Sequence, residues 1–164
     1  MALSTDPAPL LIIAVGNESR GDDALGPLLL REISALAEAD GVELLEDYQL
    51  QIEHALDMAG RKQVLFVDAG HHTPAPFVFQ RVQPARSPSP STHALTPGAL
   101  LSVYEQVERH APPPAFVLCI RGERFELGES LTPAAERHLE QSVEFARGLL
   151  SDARPERWES LIRP

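Results

Sequence analysis

The chain has 164 residues, a net charge of −10 and a pI near 5.0. That length suits one domain with a real core, and an acidic chain without a Lys/Arg cluster is not built for nucleic acid or an anionic membrane. A lone cysteine, Cys119, rules out an internal disulfide, and neither a bilayer-length apolar run nor a secretory leader pattern occurs, so the expectation is a single cytoplasmic domain over 1–164.

The apolar run Leu10 to Val15 predicts a buried strand that stops at Gly16-Asn17, a tight-loop signal. Asp22-Asp23 follow and open an apolar-periodic segment that predicts a helix over 23–38. Two carboxylates at a strand-to-helix junction stand where α/β sheets carry their chemistry. One of them suits a helix cap; the second is then free to bind something.

Further along, the pattern predicts a strand over 42–46, a helix over 52–59 and a strand over 63–68. This alternation predicts a mainly parallel, doubly wound α/β sheet of about five strands in a three-layer αβα arrangement. A strand over 77–82 follows after a loop too short for a helical crossover, so it is antiparallel and suits an edge. Pro84, Pro88 and Pro90 mark a surface loop. Thr96-Pro97 is a helix start, cap then first position, for a helix over 96–109. Cys119 lies in a strand over 115–120 and reads as a packed thiol, not a nucleophile. A helix over 132–150 completes a core of about 10–150, leaving 151–164 as a charged tail whose Trp158 either docks weakly or stays free.

Asp68 ends the apolar strand over 63–68. It either caps a turn with Gly70 or meets Asp23, because parallel strands end at one common edge. His93 precedes the Thr96 cap and is either a solvated loop residue or a ligand. Together, two carboxylates and one imidazole with open positions suit a borderline divalent metal such as nickel or zinc, held exchangeably. Gln49 and Glu53, after the second strand, are candidates for partner contact, and His54 sits in the same loop. His71 and His72 follow Asp68 closely, as supporting or simply exposed groups. No P-loop, dinucleotide fingerprint, Gly-x-Ser-x-Gly elbow or His-Glu-x-x-His is present.

Gly16-Asn17-x4-Asp22-Asp23-x2-Gly26, then Val67-Asp68-Ala69, then Ser91-x-His93, resemble the [NiFe]-hydrogenase maturation endopeptidases. The resemblance runs in order and spacing over residues 10–150. It implies a mainly parallel sheet between helices. It also implies an endopeptidase that trims the C-terminal extension of a hydrogenase large-subunit precursor after nickel insertion. Carried over, the nickel-contacting, catalytic triad falls on Asp23, Asp68 and His93, with Asn17, Asp22 and Gln49 in support or touching substrate. The nickel then arrives with the precursor, and no tightly held metal of the enzyme's own is expected. The chain departs where many members carry Gly-Thr-x-Gly after the second strand; it has Tyr48-Gln49-Leu50-Gln51-Ile52-Glu53. A nickel-binding adaptor or metallochaperone for hydrogenase assembly is the alternative reading of the same residues.

Overall fold

A computed structural model of the chain describes residues 6–37, 41–86 and 95–162. Among these residues, β1 (Leu10–Val15), β2 (Val42–Asp47), β3 (Gln63–His71), β4 (Phe77–Val82) and β5 (Ala115–Gly122) form one sheet in the order β2-β1-β3-β5-β4. β1 pairs in parallel with β2 and β3, β3 in parallel with β5, and β4 runs antiparallel on the β5 edge. The helices are α1 (Leu25–Ala37), α2 (His54–Asp57), α3 (Pro97–Glu108), α4 (Pro133–Ser151) and α5 (Pro155–Glu159). None of the described helices is long and apolar enough to cross a membrane.

The sheet is apolar on both faces because both are covered. Leu10, Ile12 and Ala14 of β1 join Leu65, Val67, Phe116 and Leu118 against α1 and α4. Leu11 and Ile13 turn the other way and join Val64 and Phe66 against α2 and α3, whose Leu100, Leu101 and Tyr104 are buried. Strand periodicity alone produces this division, since successive side chains alternate between faces. Both long helices after the first start on the same device. Thr96 and Thr132 accept the N–H of Ala99 (3.1 Å) and Ala135 (3.2 Å), with proline at the first helical position.

Three elements depart from the sequence expectation. The first helix opens with a 3-10 turn, Gly21–Ala24, before α1 begins at Leu25. The helix expected over 52–59 shrinks to α2: Ala55 and Met58 reach the core, while Ile52 and Leu56 stay 61% and 63% exposed. The tail belongs to the core. Trp158 on α5 is fully buried, with its indole N–H shared between the carbonyls of Leu149 (3.0 Å) and Asp152 (3.1 Å). Its ring meets Phe116 edge-on at 5.3 Å and Phe79 at 6.1 Å. Phe79 and Phe116 need cover at the β4 end of the sheet, and a large amphipathic ring supplies it while both carbonyls satisfy its N–H.

Replacing Trp158 with Ala leaves a cavity in this face of the core. The expected loss is about 3–5 kcal/mol of unfolding free energy in urea titration; a loss under about 1 kcal/mol would return the segment to the status of a loose tail.

Candidate functional site

The site is built where β1 gives way to α1. Gly16 has a φ of +149°, and a Cβ there would lie 2.1 Å from the Asp23 carbonyl oxygen. Only glycine lets the chain turn this tightly back on itself. Asn17 follows; its N–H donates to Asp23 Oδ2 at 2.8 Å, and its own Oδ1 accepts the Ser19 N–H at 2.9 Å. A Cβ on Gly26 would lie 2.6 Å from the Val15 carbonyl oxygen and 3.1 Å from that of Val67. The bare glycine therefore lets the first turn of α1 settle directly on the ends of β1 and β3. Asp23 is thus held beside Asp68; the strand expected to stop at Asp68 runs on to His71, because Ala69, Gly70 and His71 continue the pairing with β5.

Asp22 and Asp23 divide the work differently from a cap and a spare. The 3-10 turn has no side-chain cap. Asp22 is fully buried, and its carboxylate accepts the N–H groups of Glu123 (2.7 Å), Arg124 (3.1 Å) and Thr132 (2.8 Å) and the Thr132 hydroxyl (2.8 Å). Burial alone pushes such a carboxyl up. Here the four hydrogen bonds outweigh it and hold Asp22 below the usual carboxylate range. A carboxylate so enclosed presents no open face to a substrate, so Asp22 supports the site and does not touch what binds there. The capping expectation is corrected: the partners of Asp22 lie between β5 and α4.

Asp68 lies on the α2/α3 face of β3 and is half-buried. Its Oδ1 accepts the Ala69 N–H at 2.7 Å. Burial, opposed by that hydrogen bond and aided by the negative charge of Asp23, raises its carboxyl to about 7. Asp23 and Asp68 line one cleft of about 320 Å³ at the carboxyl edge of the sheet, walled by Ile13, Val15, Leu50, Phe66 and Leu95. Those walls continue the apolar cluster under α2 and α3. Asp23, from the turn after β1, and Asp68, from within β3, thus converge as expected, and the turn-cap alternative is corrected: Asp68 and Gly70 lie in one continuous strand.

Gln49 is exposed and lines the cleft, as do Tyr48 and Thr96, which sequence reasoning did not select for the site. Their only signal was position, just beyond β2 and just before α3. His93 lies outside the described residues; the chain is described again from Leu95, on the cleft wall. Among the described residues, no three His, Cys, Asp or Glu side chains gather closely enough to hold a metal ion. Glu53 is exposed at the start of α2. His54 is buried in a local role: its Nδ1 accepts the Gln51 N–H at 2.8 Å and its Nε2 lies 3.5 Å from Asp47. His71 and His72 are exposed, their rings tilted at 33° with centroids 4.3 Å apart, and Phe125 is edge-on to His71. Cys119, in register with Asp68, is partly buried beside the Thr73 hydroxyl. Burial and the nearby Asp68 push its thiol up, more than the Thr73 contact lowers it, so it is a packed and unreactive group.

The same architecture occurs in solved structures of named proteases. A [NiFe] hydrogenase maturation protease HycI from Thermococcus kodakarensis KOD1 superposes with a TM-score of 0.68 at 21% identity, over 90% of this chain and 96% of that one. The hydrogenase maturating endopeptidase HybD from E. coli gives 0.64 at 24% identity, over 88% and 93%. A hydrogenase 2 maturation peptidase from Thaumarchaeota archaeon SCGC_AB-539-E09 gives 0.61 at 17%, over 86% and 97%. The chain has their fold. No family model and no curated protein matches it.

Two outcomes follow from the unequal environments of the acids. The Asp68 carboxyl, followed by carbon NMR, should titrate near 7. In Asp23→Asn its midpoint should fall while staying above the usual carboxylate range, because burial remains; a midpoint near 4 in the unmodified protein, the ordinary value, would refute the arrangement. The folded state holds the Asp68 proton more tightly than the unfolded chain. Its contribution to stability is therefore full below the ordinary carboxylate range and lost as pH rises through about 7. Asp22 behaves oppositely: its contribution is present above the ordinary range and lost as pH falls through its lowered value. Asp22→Asn should cost about 2 kcal/mol or more in urea unfolding, because the amide loses the charge and turns donors toward donors.

Proposed function

We propose that this chain is an endopeptidase that removes the C-terminal extension of a [NiFe]-hydrogenase large-subunit precursor in the cytoplasm, once nickel has been inserted. The observation that carries the reading is the delivery of Asp23, from the turn after β1, and Asp68, from β3, into one cleft at the carboxyl edge of the sheet. The fold shared with named maturation proteases supports it, and so do the three motifs that resemble that family in order and spacing. His93, two residues before Leu95 on the cleft wall, completes the triad in this reading.

In this reading the nickel is cargo of the substrate. Asp23, Asp68 and His93 contact it on a completed precursor, and a precursor without it presents nothing for two crowded carboxylates to bind. Contact with a divalent cation also favours the ionised form of Asp68, whose neighbour Asp23 otherwise opposes that charge. The hydrolysis adds water across one peptide bond: oxygen to the carbonyl carbon, a proton to the leaving amine. A carboxylate of the pair serves as general base, or the substrate's nickel lowers the pKa of a bound water. The fixed Asn17 N–H on Asp23 and the fixed Ala69 N–H on Asp68 hold both carboxylates in place for either role.

The deciding assay is intact-mass analysis of large-subunit precursor from the same source, with and without nickel, after mixing with the protein. Loss of one C-terminal peptide from the nickel-loaded form alone is expected. Stable complex formation without a mass change would favour the adaptor reading. Asp23→Asn and Asp68→Asn should each lower processing by about 100-fold or more, and their melting temperatures should stay close to that of the unmodified protein. Collapse of the fold in both would reassign the two acids to structure.

A further inference from the structure

β2 is paired with β1 on one side and, among the described residues, with no strand on the other. The polarity of that open side is readable. The Gly41 and Asp47 carbonyls, at the two ends of β2, accept the N–H groups of Leu10 (3.0 Å) and Gly16 (3.1 Å). In a parallel ladder each residue turns its N–H and C=O to one side, and successive residues alternate. Gly41, Glu43, Leu45 and Asp47 thus face β1, and Val42, Leu44 and Glu46 turn their backbone groups outward. An unpaired edge of this kind is a template for an incoming extended chain.

Charge and position indicate which chain fits. Arg61 neutralises Glu43 at 2.7 Å, which leaves Glu46 exposed and Asp47 beside it on the rim of a hollow of about 360 Å³. Pairing with a second copy of β2 would set acids against acids, which destabilises a ladder. Arg31 pairs with Glu18 on the same rim and its charge also reaches Glu46, but three acids against one cation keep the rim negative, so a cationic segment meets no such penalty. Tyr48, 75% exposed, borders both this hollow and the cleft of Asp23 and Asp68. β2 ends at the same edge as β1 and β3, so a strand laid alongside it is brought to the acid pair.

We propose that the β2 edge is the docking site for the client polypeptide: an extended, cationic segment of the client adds to the five-stranded sheet beside β2 and passes over Tyr48 toward Asp23 and Asp68. This rests on the protease reading and names the way its substrate is held. The client backbone bonds to the outward groups of Val42, Leu44 and Glu46, and its cations meet Glu46 and Asp47.

The probe is nickel-loaded large-subunit precursor from the same source, used with the full chain. Hydrogen exchange should slow at the amides of Val42, Leu44 and Glu46 when the precursor is added. Glu46→Pro removes one outward N–H without touching the β1 ladder, a substitution edge strands accept. It should weaken precursor binding by about tenfold, near the loss of one hydrogen bond plus one charge. Glu46→Gln should weaken it less and flatten its salt dependence. Hydrogen exchange of the β1 amides in the free Glu46→Pro protein, unchanged, verifies that the sheet is intact. Should that exchange quicken, Glu46→Gln and the protection pattern decide. Cleavage that proceeds with unprotected β2 amides, or with unaltered affinity in Glu46→Gln and a well-folded Glu46→Pro, overturns the docking site and leaves the protease reading standing. A protein that neither binds nor cleaves the precursor overturns both.

Discussion

The buried carboxylate of Asp22 organises the edge of the sheet that carries the acid pair. It collects four donors from the segment between β5 and α4, and so ties the turn after β1 to the far side of the sheet. Each hydrogen bond to a charged group contributes roughly 1.5–3 kcal/mol when it is satisfied, and a lone buried carboxylate would be costly. The arrangement is therefore stable only as a complete set. Its consequence is positional: with Asp22 fixed, the next residue, Asp23, is held facing Asp68 of β3. Gly16 and Gly26 complete the constraint by letting backbone touch backbone where any side chain would intervene.

The acid pair itself runs against stability. Asp68 is raised by burial and by the charge of Asp23, and a fold selected for stability alone would not place two carboxylates together in a cleft with apolar walls. Both are instead restrained by backbone N–H groups close to them in sequence, Asn17 for Asp23 and Ala69 for Asp68. Such local restraints let the surrounding core remain apolar and well packed while the pair keeps its repulsion. A cation brought into the cleft would relieve that repulsion.

What the sequence disclosed follows the range of the interactions. The strands were legible because each is a short apolar run with turn signals at its ends, and β4 was legible as antiparallel because its preceding loop is too short to cross the sheet. The meeting of Asp23 and Asp68 was legible because parallel strands share an edge. The role of Asp22 was not, since its partners stand 101 to 110 residues away, and the local pattern resembles a cap. Trp158 was hidden for the same reason: a charged segment with one aromatic residue gives no sign of the phenylalanines it covers. Ile52 and Leu56 misled in the other direction, as apolar residues at helical spacing that the fold leaves in solvent.

Trp158 is the only tryptophan of the chain, and it belongs to the apolar cluster under α1 and α4, while the cleft continues the opposite cluster. The protein thus carries its own optical reporter, insulated from the cleft by the thickness of the sheet. Its emission follows the integrity of the scaffold and is blind to events at the acid pair. A lesion confined to the cleft leaves the fluorescence unchanged; a lesion of folding alters it.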